Sequence, residues 1–175
     1  YIFGFEESYG YLSGGYVRDK DAVDASMLIC EMAAYYKKQG KTLVDVLSGL
    51  YEKYGMHLNT QASFTCEGAS GMERMREIME DLRKNAPDEI CGKKVLWMSD
   101  YQASVKRSAA GRQPIHLPRS NVVEYGLEGD NVIVVRPSGT EPKIKVYFMV
   151  KGRSRIAAEA LESQLRARMT QRMGF

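Results

Sequence analysis

The 175 residues, 44% apolar and 27% charged, suffice for one ordinary domain or two small ones with a real core, which excludes a disordered chain. Twenty-five basic residues against 22 acidic leave a net charge of +3, too balanced for a surface that coats nucleic acid on charge alone. The longest apolar runs, such as Val132 to Val135, fall far short of the roughly 20 residues that a membrane-spanning helix requires.

Tyr1 to Phe5 are apolar and aromatic and run into the polar stretch Glu6, Glu7, Ser8, Tyr9, Gly10, which predicts a buried strand ending in a loop. Asp21 is placed to cap a first helix with an inward face of Ala25, Leu28, Ile29, Met32, Ala33 and Tyr36, closed by Lys37, Lys38 and Gly40. Thr42, with Asp45 in the first turn, starts a second helix carrying Leu43, Val46, Leu47, Leu50 and Tyr54. After Gly55 the period changes to two: Leu58, Ala62, Phe64 and Cys66 alternate with polar neighbours, as in a half-buried strand. The change of pattern divides the chain into an incomplete α/β unit, 1–55, with one strand and two helices, and a second unit, 56–175.

Ser70 and Glu73 form a capping-box pattern before a third helix, whose Met72, Met75, Met79 and Leu82 point inward and which ends before Pro87. Four strands follow: Val95 to Ser99, Asn121 to Tyr125, Asn131 to Arg136 and Ile144 to Val150, with Gly126 to Asp130 as a hairpin turn. Gln102 to Pro118 reads as an irregular loop because Gly111, Pro114 and Pro118 interrupt small and basic residues. A last helix runs from Ser154 to about Met173, with Ile156, Ala160, Leu161, Leu165 and Met169 inward. The second unit is thus an α+β domain with helices on one face of its sheet.

Cys30, Cys66 and Cys91 lack the paired spacing of a disulfide framework or a zinc site and fit a reducing cytoplasm. His57 and His116 lie outside any metal-binding motif, so no metal held by this chain is expected. The chain starts without Met inside an apparent strand, as an excised piece of a longer protein would.

Two loops have the chemistry of a site. In Arg136, Pro137, Ser138, Gly139, Thr140, Glu141, Pro142, Lys143, an arginine fork, two hydroxyls and an open glycine backbone suit a phosphate dianion, although the same residues also serve a plain β-connection. Glu6, Glu7 and Ser8, at the end of a strand, suit sugar hydroxyls by accepting and donating hydrogen bonds; the alternative is a solvated acidic loop.

Taken together and in this order, the two loops resemble those of the α-D-phosphohexomutase family, and the resemblance extends over essentially the whole chain. Glu6, Glu7, Ser8, Tyr9, Gly10, preceded by Gly4 and Phe5, match the sugar-reading loop of the family's third domain. Arg136, Ser138, Gly139 and Thr140, with Lys143 beside them, match the phosphate-holding loop of its fourth. The resemblance implies a C-terminal piece: the end of the third domain, then a TATA-binding-protein-like fourth domain with a mainly antiparallel sheet. It makes Lys20, in Arg18, Asp19, Lys20, Asp21, a candidate acid/base group near the reacting phosphate.

The implied reaction moves a phosphoryl group between O1 and O6 of a hexose through a phosphoserine and a bisphosphate intermediate, with Mg2+ offsetting charge. Neither the phosphoserine segment nor the acidic metal loop occurs in these residues. The piece is therefore expected to bind no metal and to be inactive alone, and to expose helix faces that the missing N-terminal domains would cover or that would pair two copies in a homodimer. The hexose phosphate is the expected partner, with neither nucleic acid nor membrane. Glucose, mannose and pentose phosphates stay open as substrates, the Glu-Glu-Ser form leaning toward glucose. A non-catalytic platform for a protein or nucleic acid is the alternative from another class.

Overall fold

The computed structural model describes residues 2–6 and 9–175. The chain divides into two compact units, Tyr1–Tyr54 and Gly55–Phe175.

In the first unit, strands β1 (Gly4–Phe5) and β2 (Tyr11–Leu12) pair antiparallel, and Glu6 N–H donates to Gly10 O at 2.8 Å to close the turn. The strand expected from 1 to 5 is thus a short hairpin arm. It is not buried: Phe5 is 72% exposed, its ring grouped with those of Phe3 and Tyr11. Helix α1 (Ala22–Lys37) is capped by the Asp21 carboxylate, which accepts from Val23 and Asp24 N–H. The chain reverses at Gly40, whose φ of 72° favours glycine, and enters α2 (Leu43–Tyr54). There Thr42 and Asp45 cap reciprocally, Asp45 N–H donating to Thr42 Oγ1 at 3.1 Å and Thr42 N–H to Asp45 Oδ2 at 2.8 Å. The apolar face of α1 exists as the spacing requires, but only Ala25 is buried; Leu28, Ile29 and Met32 remain 38–44% exposed.

The second unit is α+β, with strands β3 (Met56–Thr65), β4 (Glu89–Ile90), β5 (Lys93–Asp100), β6 (Val105–Ser108), β7 (Gly111–Pro114), β8 (Val123–Leu127), β9 (Asn131–Pro137) and β10 (Lys143–Gly152) and helices α3 (Gly71–Lys84) and α4 (Arg155–Arg172). The main path is β3-β10-β9-β8-β5-β6-β7, antiparallel throughout, with β4 added to the start of β5. Directly paired residues share a face, so Thr60, Phe148, Ile133, Tyr125 and Met98 form one row across the sheet. Both helices cover that face. The Tyr125 hydroxyl donates to Leu82 O of α3 at 2.5 Å, and Thr60 Oγ1 donates to Glu162 Oε1 of α4 at 2.5 Å. Ile144, Val146, Phe148, Ile133, Val135 and Tyr125 are inaccessible there. The opposite face of the sheet carries Arg136, Lys145 and Tyr147.

Several local expectations are corrected. Gln102 to Pro118 is not irregular: it holds the β6–β7 hairpin, whose short polar strands show no apolar alternation, and Gly111 turns it with φ 104°. Gly126 belongs to β8 rather than to the turn. The turn is Glu128–Asp130, held by Asn131 Nδ2 donating to Glu128 O at 2.7 Å. Gly126 is needed for room, since a Cβ there would lie 2.0 Å from the ring of Trp97 on the neighbouring strand. Ser70 precedes α3 without a side-chain capping bond, and Met72 is 46% exposed, whereas Met75, Met79 and Leu82 are buried. The inward stripe of α4 is Ala158, Glu162, Leu165 and Met169, not Ile156 and Ala160. The charged Glu162 is buried because Arg166 Nε donates to it at 2.9 Å alongside Thr60. No helix among the described residues is long and apolar enough to cross a membrane.

Candidate functional site

In the first unit the polar loop hangs from the β1–β2 hairpin, and a cavity of about 300 Å³ is lined by Phe5, Glu6, Gly10, Tyr11, Arg18 and Lys20. Glu7 and Ser8 lie outside the described residues. The stem of Lys20 runs across Gly10, where a Cβ would sit 2.0 Å from Lys20 Cδ, so the glycine makes space for the lysine. Lys20 Nζ lies 3.1 Å from Asp19 Oδ1 and 3.6 Å from Glu6 Oε1. Asp19 foremost, then Glu6, pushes the Lys20 ammonium above its ordinary pKa, and Lys20 in turn lowers that of Asp19. With these two carboxylates beside it, the Lys20 ammonium can donate hydrogen bonds to an anionic oxygen.

In the second unit the loop from Ser138 to Pro142 joins two central strands. Its base is closed by Ser138 N–H donating to Lys143 O at 2.7 Å, and Lys143 N–H donates to Glu141 O at 2.7 Å. The Ser138 hydroxyl oxygen accepts from Glu141 N–H at 3.3 Å and Thr140 N–H at 3.4 Å, which orients the hydroxyl and leaves its proton for an outside acceptor. A cavity of about 310 Å³ is lined by Arg136, Ser138, Gly139, Thr140, Lys145 and Tyr147. A Cβ on Gly139 would meet nothing within 4 Å, so this glycine leaves the loop's backbone open to the cavity.

The strand register puts Arg136 directly opposite Lys145 on the face away from α3 and α4. Like charges so placed repel, and an anion between them relieves the repulsion. Among the described residues no carboxylate pairs with either. Lys143, by contrast, is ion-paired to Glu141 at 3.0 Å and does not line the cavity. Sequence reading named Lys143 as the cation beside Arg136 and did not name Lys145 and Tyr147, which line the cavity. The signal was present: Lys145 and Tyr147 alternate with Ile144, Val146 and Phe148, so they must face away from the core. The described residues bring no three His, Cys, Asp or Glu side chains together in a metal-holding group.

Two family models match the chain: residues 1–54 fit the α/β/α domain III of phosphoglucomutase/phosphomannomutase, and residues 74–167 fit the C-terminal domain of the same family. A phosphoglucomutase of Staphylococcus aureus (strain bovine RF122 / ET3-1) is 45% identical over 152 residues, covering 86% of this chain and 27% of the relative. That of Staphylococcus haemolyticus is 39% identical over 151 residues, again covering 27% of the relative. The chain thus spans about a quarter of the length of these curated relatives. Among solved structures, the open form of the exocytosis-sensitive phosphoprotein pp63/parafusin, a phosphoglucomutase from Paramecium, is similar in fold, with a TM-score of 0.59 at 16% identity over 97% of this chain and 30% of that one.

Proposed function

The chain belongs to the phosphoglucomutase/phosphomannomutase family, and from that premise we propose that its two units supply substrate-holding loops of an enzyme interconverting hexose 1-phosphate and hexose 6-phosphate. The observation that carries the reading is the cavity at the β9–β10 loop, where Arg136 and Lys145, with no carboxylate partner among the described residues, face each other beside the Ser138 hydroxyl. In this role Arg136, Ser138, Gly139, Thr140 and Lys145 grip the phosphate that is not being transferred, while Lys143 holds Glu141 and so the shape of the loop. Glu6, Glu7 and Ser8 read the ring hydroxyls, glucose being the favoured sugar. Lys20, beside Asp19 and Glu6, stands as the candidate acid/base group near the transferring phosphate, where its ammonium can donate hydrogen bonds.

Phosphoryl transfer of this kind depends on positioning and on charge placed in advance, which fixed anchors on a distal phosphate and on hydroxyls provide. A phosphoryl donor, and magnesium to offset charge, would be supplied from outside these residues. The described residues have no cluster fit for the ion, so no step is assigned to it here. Segments outside these residues would cover the apolar side of α1 and α2, which in their absence would pair two copies. Free thiols at Cys30, Cys66 and Cys91 support a cytoplasmic setting.

The test is a titration of the 175-residue chain with glucose 6-phosphate, followed by NMR at the Ser138–Thr140 amides. Arg136→Ala removes charge-assisted hydrogen bonds worth about 1.5–3 kcal/mol, which at about 1.4 kcal/mol per tenfold weakens binding by roughly 10- to 150-fold. Unchanged affinity in that variant, or ligand shifts that bypass the loop, would sink the reading. Turnover by this chain alone would overturn the view that it only binds.

A further inference from the structure

The tip of the phosphate loop is held by its own hydrogen bonds, but its outgoing limb leans on a different part of the chain. Cys66, the first residue beyond β3, is fully buried and its N–H donates to Pro142 O at 2.7 Å. Proline has no N–H, so that carbonyl is the only backbone hydrogen-bonding group Pro142 offers. On the other side, the Cys66 carbonyl presses against Gly71, the first residue of α3. A Cβ on Gly71 would lie 2.0 Å from Cys66 O and 3.1 Å from Pro142 Cβ. Gly71 has no positive φ, so what the site demands of it is space.

We infer that Gly71 is a positioning residue for the phosphate loop, setting through Cys66 the place of Pro142 and hence of the Ser138–Glu141 turn. The inference rests on the phosphate-binding reading of that loop. A methyl group on Gly71 needs at least 3.0 Å from the carbonyl it would meet at 2.0 Å, so the start of α3 or Cys66 must give way by about 1 Å. A shift of about 1 Å carries a hydrogen bond of ordinary length beyond bonding distance, and loss of one charge-assisted bond weakens binding about tenfold or more.

The internal control is Gly152, where a Cβ would lie 2.8 Å from Ala158 N and 2.9 Å from Ser154 O, at the far end of β10 from the loop. Gly152→Ala is therefore a packing defect of the same kind that leaves the loop alone. In the 175-residue chain, Gly71→Ala should shift the Ser138–Glu141 amide resonances before ligand is added and weaken glucose 6-phosphate binding about tenfold or more. Gly152→Ala should lower the melting temperature yet leave affinity and those resonances as in the parent.

Parent-like affinity in Gly71→Ala, with Arg136→Ala weakened, overturns the inference and spares the phosphate assignment. No response of the loop amides in the parent overturns both. If Gly71→Ala does not fold, hydrogen exchange in the parent decides. Saturating glucose 6-phosphate should slow exchange at the Cys66 amide and leave unchanged the Lys151 amide, which donates to Asn131 Oδ1 at the other end of the sheet. A Cys66 amide that exchanges equally fast with and without ligand overturns the inference.

Discussion

Replacing Glu162 by alanine removes the one carboxylate that α4 buries against the sheet. Its side chain is 11% exposed, accepts from Arg166 Nε at 2.9 Å and from the Thr60 hydroxyl at 2.5 Å, and receives a further bond from Arg166 Nη2. Removing one partner of a buried ion pair costs about 3–5 kcal/mol, because the other charge is left without compensation. Arg166 is 36% exposed and keeps its bond to Gln61 O at 3.2 Å, so water recovers part of that loss and about 2–3 kcal/mol is expected. Trp97 is the single tryptophan and lies in the same unit, so its fluorescence in urea follows this unit alone. With a slope of about 1–3 kcal/mol per molar, the midpoint should fall by about 0.7–3 M.

Glu162→Leu combined with Arg166→Met should recover most of the loss, since an apolar pair of similar volume has no unpaired charge to hydrate. A loss below about 0.5 kcal/mol in Glu162→Ala, or strict additivity with Arg166→Met, would refute the claim that this pair anchors α4.

Two pH effects follow from other groups. The Tyr101 phenol is pushed from 10.0 to about 12 by burial first and by its hydrogen bond to Glu124 second; its neutral form therefore contributes stability that is complete below pH 10 and is lost as pH rises toward 12. Tyr101→Phe should flatten that alkaline slope in urea midpoints, and an unaltered slope would exclude Tyr101 as its source. Asp21 is held below the ordinary carboxylate range, chiefly by the Tyr16 hydroxyl at 2.7 Å and then by the Asp24 and Val23 amides it caps. Its contribution is present above the ordinary value and lost as pH falls through the lowered one, so the start of α1 should loosen in acid. Tyr16→Phe should raise the Asp21 titration midpoint seen by carboxyl NMR; no movement would contradict the assignment.

The elements most legible in the residues were those where one periodicity holds without interruption. The alternation of Ile144, Val146, Phe148 and Val150 places β10, and the Met75, Met79, Leu82 spacing places α3 and its inward side. What escaped was governed by partners distant in the chain. The space at Gly126 is claimed by Trp97, and Glu162 sits in the core because Thr60 and Arg166 meet it there. The β6–β7 strands are short and polar, so only their pairing with β5 makes them strands. The β9–β10 loop stood out by its composition, and the alternation of β10 turned Lys145 away from the core, but only the register set it across from Arg136.

That register also limits how this segment can vary over evolutionary time. Odd-numbered positions of β10 turn to the face that bears Arg136 and even-numbered ones toward the helices, so a one-residue slip of β10 against β9 would exchange the two sets. Ammonium groups would then be driven into the hydrocarbon layer while Val146 and Phe148 turned to the opposite face. Length change is consequently costly in steps of one inside the paired strands, where the pleat decides which side chains reach the core.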